Sequence, residues 1–453
     1  MVSSLHFVPL GGVGEIGMNL SAYGCDGDWL AVDCGVMFRD KDAPDADLIF
    51  PDPEFLEQHQ RRLVGLVITH AHEDHLGALP YLWPRLQCPI FATPFSAAIL
   101  RRKLGGSLKL PIQVLPADGG RFRVGAFDVT FATLTHSIPE PAALIIRTPA
   151  GTVIHTGDWK LDPEPLIGDA ADSAPFVAAG DEGVLALVCD STNAEVPGLS
   201  GSEGGVRWAL IHEIGKYEGR VAVTMFASNV ARLESAARAA MVYDRSVSLV
   251  GRSLRRMVDA ARETGMLRNL PPFVAEHEAG YFPPDKLLLL VGGCQGEPRG
   301  AMARLAAEQH PQLLLEAGDA VLFSARVIPG NEPEVAGMQD LLRRRNIHVV
   351  TADDAPIHCS GHPAREELRE MYRWTRPKLA VPVHGEPAHL AAHAELAREA
   401  GVPHVIEMRN GQRLQMGPGT PELVDEVANG RLAFTPGLRA NERIQPIIRR
   451  PKS

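Results

Sequence analysis

The sequence has few cysteines, no long hydrophobic run and no excess of positive charge, and each shortage excludes a class of protein. The six cysteines among 453 residues form no Cys-x-x-Cys pair, so the pattern indicates neither a disulfide framework nor a thiolate metal site. No apolar stretch reaches the roughly 18 residues that a membrane-spanning helix needs. The amino terminus has no basic region followed by an apolar segment, so we expect a cytoplasmic protein without membrane contact.

The net charge of −10 argues against a protein that coats nucleic acid along its whole surface. A locally basic groove remains compatible with this charge, because phosphate binding depends on the local field. Each basic cluster taken alone is more typical of a solvated surface. These clusters are residues 101–103, Arg252, Arg255, Arg256 and residues 449–452.

The 453 residues, of which 45% are hydrophobic, predict two to three domains with sizeable cores. Short apolar runs separated by Gly, Asp and Pro turns fill the first two hundred residues and predict strands with helices between some of them. From Glu203 onward, helices and strands alternate in the manner of a separate parallel-sheet domain. The fold class is therefore α/β, with sheets covered by helices.

A glycine-rich segment at residues 12–17 matches the dinucleotide-binding pattern G-x-G-x-x-G, and Asp33 lies near the distance expected for a ribose-binding acid. That motif requires a helix that begins inside it and leads to the next strand. Here residues 24–28 form another turn signal at once, so we predict the loop of a β-hairpin instead.

The strongest signal is Thr-His-Ala-His-Glu-Asp-His-Leu-Gly at residues 69–77, which directly follows the apolar run 63–68. It places His70, His72, Asp74 and His75 within six positions, and imidazoles with a carboxylate are the ligands that zinc prefers. The alternative is a histidine-rich surface loop without function. The spacing favours two ions, roughly 3.5–4 Å apart, that together activate water and stabilise the oxygens of a displacement reaction.

Two metal ions need more ligands, and three side chains that follow predicted strands can supply them: His136, Asp158 and His384. A single histidine after a strand is more often a structural hydrogen-bonding group. Together, however, the three complete a plausible set, in which Asp158 bridges both ions and an open position is left for water.

Beyond this motif, the sequence resembles the ribonuclease J family, which are nucleases of the metallo-β-lactamase fold in the β-CASP group. Asp33 resembles the first characteristic acid of that superfamily, and further matching motifs cover nearly the whole chain. They are residues 9–17, 190–195, 226–229, 295–298, 328–332 and 360–362.

The resemblance implies an αββα sandwich of the metallo-β-lactamase type with an inserted β-CASP α/β domain. The expected divisions are residues 1–202 and 347–440 for the two parts of the sandwich, 203–346 for the insertion, and 441–453 for a polar tail. The implied activity is zinc-dependent hydrolysis of RNA in processing and decay, as a 5′-to-3′ exonuclease with some endonuclease activity. The implied cofactors are two Zn²⁺ ions, with Mn²⁺ or Mg²⁺ as alternatives, and the implied partner is single-stranded, 5′-monophosphorylated RNA.

Three residues are expected to take part in the chemistry: Asp190, His362 and Asp74, of which Asp74 is also a metal ligand. His362, polarised by Asp190 or a neighbouring carboxylate, is expected to donate a proton to the leaving oxygen or a hydrogen bond to the scissile phosphate. The alternative is that His362 only fixes its own loop. Phosphate binding is assigned to loop residues whose polar groups suit an anion, with ordinary turn chemistry as the alternative. These are Ser228, Asn229, Ser360 and Gly361.

Several features leave the interpretation open. Cys294 and Arg326 stand where the family usually has small, polar residues, so substrate preference is in question. The chain stops soon after the sandwich, which leaves a homodimer uncertain. His389 and His393 are spaced i, i+4 on a predicted helix and are expected to face solvent. The competing functions are a hydrolase of DNA or of a small ester or thioester on the same fold, and a non-catalytic RNA-binding subunit.

Overall fold

The computed structural model describes residues 3–38, 42–105, 109–436 and 443–447. Of the expected polar tail, only residues 443–447 fall in this part, and the basic run 449–452 lies outside the described residues. None of the helices in the described ranges is both long and apolar enough to cross a membrane.

The strands of the described chain form four sheets. In chain order they are β1 (Leu5–Gly11), β2 (Leu20–Cys25), β3 (Asp28–Val32), β4 (Leu48–Pro51), β5 (Leu63–Val67), β6 (Ile90–Ala92), β7 (Ile112–Val114), β8 (Arg121–Val124), β9 (Phe127–Thr133), β10 (Ala142–Thr148), β11 (Gly151–His155), β12 (Val184–Asp190), β13 (Val221–Thr224), β14 (Ser246–Val250), β15 (Leu287–Val291), β16 (Ala320–Phe323), β17 (His348–Val350), β18 (Leu379–Val383), β19 (His404–Val405), β20 (Gln412–Gly417), β21 (Glu422–Glu426), β22 (Arg431–Phe434) and β23 (Ile444–Pro446).

The α-helices lie between these strands. They are α1 (Glu54–Gln58), α2 (Glu73–Leu76), α3 (Leu79–Leu86), α4 (Pro94–Leu104), α5 (Ala174–Glu182), α6 (Glu203–Ile214), α7 (Val230–Val242), α8 (Arg252–Glu263), α9 (Ala301–Ala306), α10 (Glu332–Arg344), α11 (Arg365–Thr375) and α12 (Pro387–Glu399).

Two large sheets pack face to face and form the core of the sandwich. One has the strand order β21-β20-β1-β2-β3-β5-β6-β7, and the other has the order β19-β18-β12-β11-β10-β9-β8. Phe7 and Leu30 from the first sheet share one buried cluster with Phe131 and Leu144 from the second. Their burial is the main favourable contribution to folding, because each removes a large apolar side chain from water.

Helices cover the outer faces of both sheets and complete the four layers. Phe95 of α4 and Leu82 of α3 pack on the first sheet, while Phe176 of α5, Leu368 of α11 and Leu396 of α12 pack on the second. This arrangement confirms the predicted α/β class with an αββα sandwich. A small third sheet, β23-β22-β4, pairs the end of the described chain with residues near its beginning.

The inserted part of the chain forms a five-stranded sheet of its own, in the order β14-β15-β13-β16-β17, and all its neighbouring strands are parallel. Its strands are apolar on both faces, as Leu287–Val291 illustrates with five fully buried residues, because helices cover both sides. Strand β17 lies beyond the boundary expected at residue 346. We therefore propose that the inserted domain extends to Val350.

The glycine-rich segment at residues 12–17 joins two antiparallel strands, β1 and β2, and contains no helix. The predicted hairpin is thus confirmed. Between β5 and β6 the chain forms two short helices, α2 and α3, which are separated by Gly77 and Ala78.

Candidate metal centre

The predicted ligands all follow the ends of strands, and the topology brings those ends together. Strands β11, β12 and β18 are parallel neighbours, so their carboxyl ends lie side by side. Asp158 comes three residues after β11, Asp190 ends β12, and His384 directly follows β18. His70 follows β5 of the facing sheet, and His136 follows β9. The same edge of the sandwich therefore carries side chains from both sheets.

One group of donors contains His70, His72, His136 and Asp158, whose nearest ligand atoms all lie within 4.8 Å of one another. His72 Nδ1 is 3.1 Å from His70 Nε2 and 3.0 Å from His136 Nε2. Asp158 Oδ2 is 3.8 Å from His70 Nε2 and 3.7 Å from His136 Nε2. Tetrahedral zinc with bonds of about 2.0–2.1 Å separates its ligands by roughly 3.4 Å, which these distances bracket.

A second group contains Asp74, His75, Asp158 and His384. His75 Nε2 is 3.2 Å from Asp158 Oδ2 and 3.6 Å from Asp74 Oδ2. His384 Nε2 is 3.3 Å from Asp74 Oδ2 and 3.6 Å from Asp158 Oδ1. These separations also suit a single cation.

Asp158 belongs to both groups, and also to a third set of neighbouring donors with Asp190, His362 and His384, and it is 3% exposed. Its Oδ1 atom is buried and makes no hydrogen bond to any described residue. A buried carboxylate oxygen without a hydrogen bond is costly, and the cationic group nearest to Oδ1, His384 Nε2, is 3.6 Å away, beyond hydrogen-bond distance. A cation would remove this cost, so the donors present fit a metal centre.

The imidazoles of the two groups differ in the direction in which their pKa values are shifted. Burial lowers the pKa values of His70 and His136 well below normal and that of His72 to about 4, which keeps these rings neutral and able to bind a cation. Burial also acts against a charge on His75 and His384, but the Asp158 carboxylate raises the pKa of each well above normal.

The pKa values of the two carboxylates in the second group, Asp158 and Asp74, are lowered by the neighbouring imidazoles. Burial raises the pKa of Asp158, but the charges of His384 and His75 outweigh burial and hold that pKa well below its usual value. The pKa of Asp74 is lowered in the same way by His75 and His384, against the effect of burial. Both side chains are therefore anions at neutral pH, as cation binding requires.

Hydrogen bonds behind the ligands fix their orientation. His75 Nδ1 donates to Asp33 Oδ2 at 2.8 Å, and Asp33 in turn accepts from the backbone N–H of Thr69 at 2.8 Å and from its hydroxyl at 2.9 Å. The hydroxyl of Thr192 lies 2.9 Å from His384 Nδ1. Such partners determine which ring nitrogen faces the metal. Thr69 and Thr192 were not assigned a role from the sequence, although both lie inside matched motifs.

The backbone is held in an uncommon conformation at two of these positions. Asp33 has φ 62° and His384 has φ 52°, in the left-handed region that residues other than glycine seldom adopt. The backbone N–H of His384 donates to the carbonyl of Gly12 at 2.7 Å, and its carbonyl accepts from the N–H of Ser191. These contacts maintain the strained turn that directs the imidazole toward Asp158 and Asp74.

His362 and Asp190 lie next to both groups. His362 Nδ1 donates to Asp190 Oδ2 at 2.8 Å and is 3.9 Å from Asp158 Oδ2. Burial lowers the pKa of His362, but the Asp190 carboxylate outweighs burial and raises that pKa above its usual value. The side chain is 23% exposed, whereas Asp190 is fully buried. Since Nδ1 is bonded to Asp190, Nε2 is the atom left to meet a substrate.

The four predicted phosphate-binding residues have different surroundings. Ser228 Oγ lies 3.1 Å from His72 Nε2, directly beside the first donor group. Ser360 Oγ accepts from Asn193 Nδ2 at 2.7 Å, and the Gly361 carbonyl accepts from His136 Nδ1 at 2.5 Å. Asn229 is 6% exposed and caps helix α7, because its Oδ1 accepts from the N–H of Arg232. We therefore do not assign phosphate binding to Asn229.

The prediction that both histidines of α12 face solvent is wrong for His393. This residue is fully buried, and its ring nitrogens bond to the hydroxyls of Ser191 and Tyr372, each at 2.9 Å. His393 therefore fixes the segment that follows β12 and does not hold a metal. His389 lies on the half-buried side of the same helix, 3.7 Å from Glu195.

Comparison with protein-family models gives three matches along the chain. Residues 26–251 match the metallo-β-lactamase superfamily, residues 218–342 match the β-CASP domain of ribonuclease J, and residues 347–407 match a Zn-dependent metallo-hydrolase RNA specificity domain. Together with the sandwich and its His/Asp cluster, these matches define a metal-binding hydrolase of the metallo-β-lactamase fold that carries a β-CASP insertion.

Sequence comparison with known proteins defines the family. The chain is 48% identical over 435 residues to ribonuclease J of Sinorhizobium meliloti, an alignment that covers 94% of this chain and 77% of the relative. It is 40% identical over 438 residues to ribonuclease J of Mycolicibacterium smegmatis, and this alignment covers 96% of this chain and 78% of the relative. It is 39% identical to ribonuclease J of Corynebacterium glutamicum, in an alignment that covers 95% of this chain and 60% of the relative. The chain belongs to the ribonuclease J family, which confirms the predicted resemblance and the class of metal-dependent ribonuclease.

A solved structure shares the fold at low sequence identity. It is the crystal structure of a protein of unknown function from Enterococcus faecalis, with a TM-score of 0.61 and 17% identity. The alignment covers 91% of this chain and all of that one.

Proposed function

We propose that the protein hydrolyses single-stranded RNA with two zinc ions, as a 5′-to-3′ exonuclease with additional endonuclease activity, and that it prefers a 5′-monophosphate end. Membership of the ribonuclease J family supports the reaction class. The observation that carries the two-ion proposal is Asp158, which lies between two complete donor groups with one oxygen unpartnered.

In this proposal one ion is held by His70, His72, His136 and Asp158, and the other by Asp74, His75, Asp158 and His384. When bound, such a pair supplies a nucleophile from water at neutral pH and stabilises negative charge on the phosphate. Mn²⁺ or Mg²⁺ would require more oxygen ligands than these histidine-rich groups offer, so the donor chemistry favours zinc.

His362 is proposed as the proton donor to the leaving oxygen. Its Nδ1–H is fixed by Asp190, which holds the ring in one orientation and favours the charged imidazolium. His362 also stacks against His384, with ring centroids 5.6 Å apart, and meets His136 edge-on at 5.0 Å. It therefore borders both donor groups, as a residue that serves the scissile phosphate must.

Ser228, Ser360 and Gly361 are proposed to bind the phosphates of the substrate. The hydroxyl of Ser228 contacts the ligand His72, and Ser360 and Gly361 directly precede His362 in the chain. Hydroxyl and backbone N–H groups suit an anion without adding a fixed charge. A terminal phosphate bound this close to the metals places the first linkage of the strand at the reaction centre, which supports cutting from the 5′ end.

The test compares four substrates with protein that has been stripped of metal and reloaded with zinc or with manganese. These are 5′-monophosphorylated RNA, 5′-triphosphorylated RNA, single-stranded DNA and a thioester. We expect cleavage of RNA, fastest with the monophosphate. Cleavage of the thioester alone would remove the ribonuclease proposal, and cleavage of DNA at the same rate as RNA would replace it with a general nuclease.

Direction is read from the position of a label on the same RNA. A 5′ label should appear at once as mononucleotide, whereas a 3′ label should remain on fragments that shorten gradually. Early release of mononucleotide from the 3′ label would contradict the proposed direction. On an RNA whose 5′ end is blocked, shortened fragments that retain the block would report the endonuclease activity.

A further inference from the structure

Arg326 lies in the loop that follows strand β16 of the inserted domain. The residue is exposed, but its backbone is fixed. The side-chain amide of Gln295, which is 5% exposed, donates to the carbonyl of Arg326 at 2.9 Å and accepts from the N–H of Ile328 at 2.8 Å. Gln295 therefore holds this loop in one position while leaving the Arg326 side chain accessible.

The guanidinium of Arg326 reaches across to the sandwich domain. Its Nη1 donates to Asn193 Oδ1 at 3.2 Å. Asn193 is 3% exposed, and its own amide donates to Ser360 Oγ at 2.7 Å and to the carbonyl of His362 at 3.1 Å. Only Asn193 thus separates the charge of Arg326 from the loop that carries the proposed proton donor.

No carboxylate neutralises this charge among the residues that the structure describes, because the one side-chain hydrogen bond of Arg326 goes to a neutral amide. Arg232, by comparison, is buried and bonded through two nitrogens to Glu203. The nearby His358 is affected by both charges: burial lowers its pKa to about 3, Arg232 and Arg326 act in the same direction, and Glu203 acts against them. Arg326 therefore places a positive charge without a carboxylate partner next to Asn193 and the loop that carries His362.

We propose that Arg326 binds a backbone phosphate of the RNA strand beside the linkage that is cut. The inference rests on the proposed ribonuclease function and adds a contact that the inserted domain supplies. An exposed guanidinium fixed by one nitrogen retains the other donors of its planar fork for a phosphate. Such charge-assisted, bidentate contacts are about twice as strong as neutral hydrogen bonds.

The test measures kcat/KM for a short 5′-monophosphorylated RNA over a series of salt concentrations. Zinc-loaded wild-type protein is compared with Arg326→Gln, Arg326→Lys and the control Arg343→Gln. Arg343 lies in the last turn of α10 in the same domain, is 50% exposed and pairs with Asp340. The control removes the same charge from the domain without changing a contact to Asn193 or the His362 loop.

We expect Arg326→Gln to reduce kcat/KM by about 10- to 100-fold, which corresponds to the roughly 1.5–3 kcal/mol of a charged hydrogen bond. The slope of log kcat/KM against log salt should become shallower by about 0.7, the value for one phosphate contact on a single strand. The kcat/KM of Arg326→Lys should lie between those of wild type and Arg326→Gln, because lysine keeps the charge but cannot make the bidentate contact of a guanidinium. Arg343→Gln should match the wild type.

A second measurement identifies the phosphate. Single neutral methylphosphonate linkages are placed one at a time around the cut site, and kcat/KM is measured for wild type and Arg326→Gln. At one position, the neutral linkage should lower kcat/KM of the wild type strongly. The same linkage should not lower kcat/KM of Arg326→Gln any further. If every linkage affects both proteins equally, or if Arg326→Gln retains the wild-type salt slope, the inference is wrong. If the wild type cleaves no RNA, the proposed function fails and this inference fails with it.

Discussion

His362 Nδ1 lies 2.8 Å from Asp190 Oδ2, and this hydrogen bond joins the end of strand β12 to the loop that leads into helix α11. The same carboxylate accepts from the hydroxyl of Thr192 at 2.7 Å through its other oxygen. Asp190 is thus committed to orienting one imidazole directly and a second, His384, through Thr192. This connection makes Asp190 a positioning residue for both halves of the proposed site.

The first prediction concerns this pair. Asp190→Asn should lower kcat by about 10²- to 10⁴-fold with little change in KM, because His362 loses the anion that holds its proton and its orientation. His362→Ala should cause a loss of similar size, and the double variant should be little worse than either single one. Steady-state kinetics on 5′-monophosphorylated RNA measure all three.

The control for Asp190 is Glu195→Gln, a change in the same segment at a side chain that is 55% exposed. It should leave kcat unchanged. Strictly additive losses for Asp190→Asn and His362→Ala would show that the two residues act independently, and that result would contradict the proposed relationship.

The second prediction concerns the bridging ligand. Asp158→Asn should lower the zinc content from two ions per chain to less than one, because both donor groups contain this carboxylate. His136→Ala should remove one ion only, since His136 belongs to the first group alone. Zinc per chain, measured by mass spectrometry after dialysis against fixed free zinc, distinguishes the two variants. A full zinc content in Asp158→Asn would show that the ions do not share this ligand.

Asp74→Ala should abolish turnover while the fold is retained, because Asp74 belongs only to the second group and its side chain is 27% exposed. Circular dichroism should match that of the wild type, while RNA cleavage should fall to background. Unchanged turnover in this variant would refute the metal mechanism as a whole.

The third prediction uses a glycine that no motif analysis assigned a steric role. A Cβ at Gly361 would lie 2.8 Å from both His136 Nδ1 and Ser137 Oγ, closer than real contacts allow. Gly361→Ala should therefore displace His136, weaken zinc binding at the first group and lower kcat/KM by more than tenfold. Zinc titration and cleavage rates on the same preparation report both effects.

Gly337→Ala is the matched control, because a Cβ there meets nothing within 4 Å and Gly337 lies inside helix α10. This change should leave cleavage unaffected and stabilise the protein by about 0.5–1 kcal/mol, the usual advantage of Ala over Gly in a helix. If Gly361→Ala behaves in the same way, Gly361 has no steric role in the site.

The proposed metal ligands can be recognised in the sequence because their chemistry is local. Histidine and aspartate follow strand after strand, and parallel neighbours such as β11, β12 and β18 bring those ends to one edge. Thr69 and Thr192 carry no such signal, since a threonine near a strand end has many uses. Their role depends on distances across the site, which the sequence does not contain.

Asn229 shows how one local signal can support two interpretations. An asparagine between a strand and a predicted helix fits a phosphate-binding loop, but it is also the pattern of a helix N-cap. The structure shows the cap, with Asn229 Oδ1 2.8 Å from the N–H of Arg232. His393 was misjudged for a related reason, because the spacing of two histidines on α12 does not reveal which side of the helix packs against Tyr372.

The last prediction concerns acid stability at the start of the inserted domain. Glu203, the first residue of α6, accepts from Arg232 Nε at 2.9 Å and from Nη2 at 2.7 Å, and both side chains are buried. Burial raises the pKa of Glu203, but the charge of Arg232 outweighs burial and lowers that pKa to about 2. Because the folded-state pKa is depressed, the ionised carboxylate stabilises the fold fully above pH 4.5, its ordinary pKa, and this stabilisation is lost as the pH falls toward 2.

Glu203→Gln should therefore unfold more easily than the wild type at pH 7, by about 3 kcal/mol, and the difference between the two proteins should shrink between about pH 4.5 and pH 2. Urea denaturation at several pH values measures the free energy of unfolding of both proteins. The effects of the other titrating groups are the same in both and cancel in the difference. Glu213→Gln, on the same helix, is the control. The partner of Glu213, Lys216, is 46% exposed, so removing the carboxylate leaves no buried charge and should change the free energy of unfolding little. If the difference in the free energy of unfolding between Glu203→Gln and wild type stays constant down to pH 2, Glu203 stabilises the domain through packing and not through its charge.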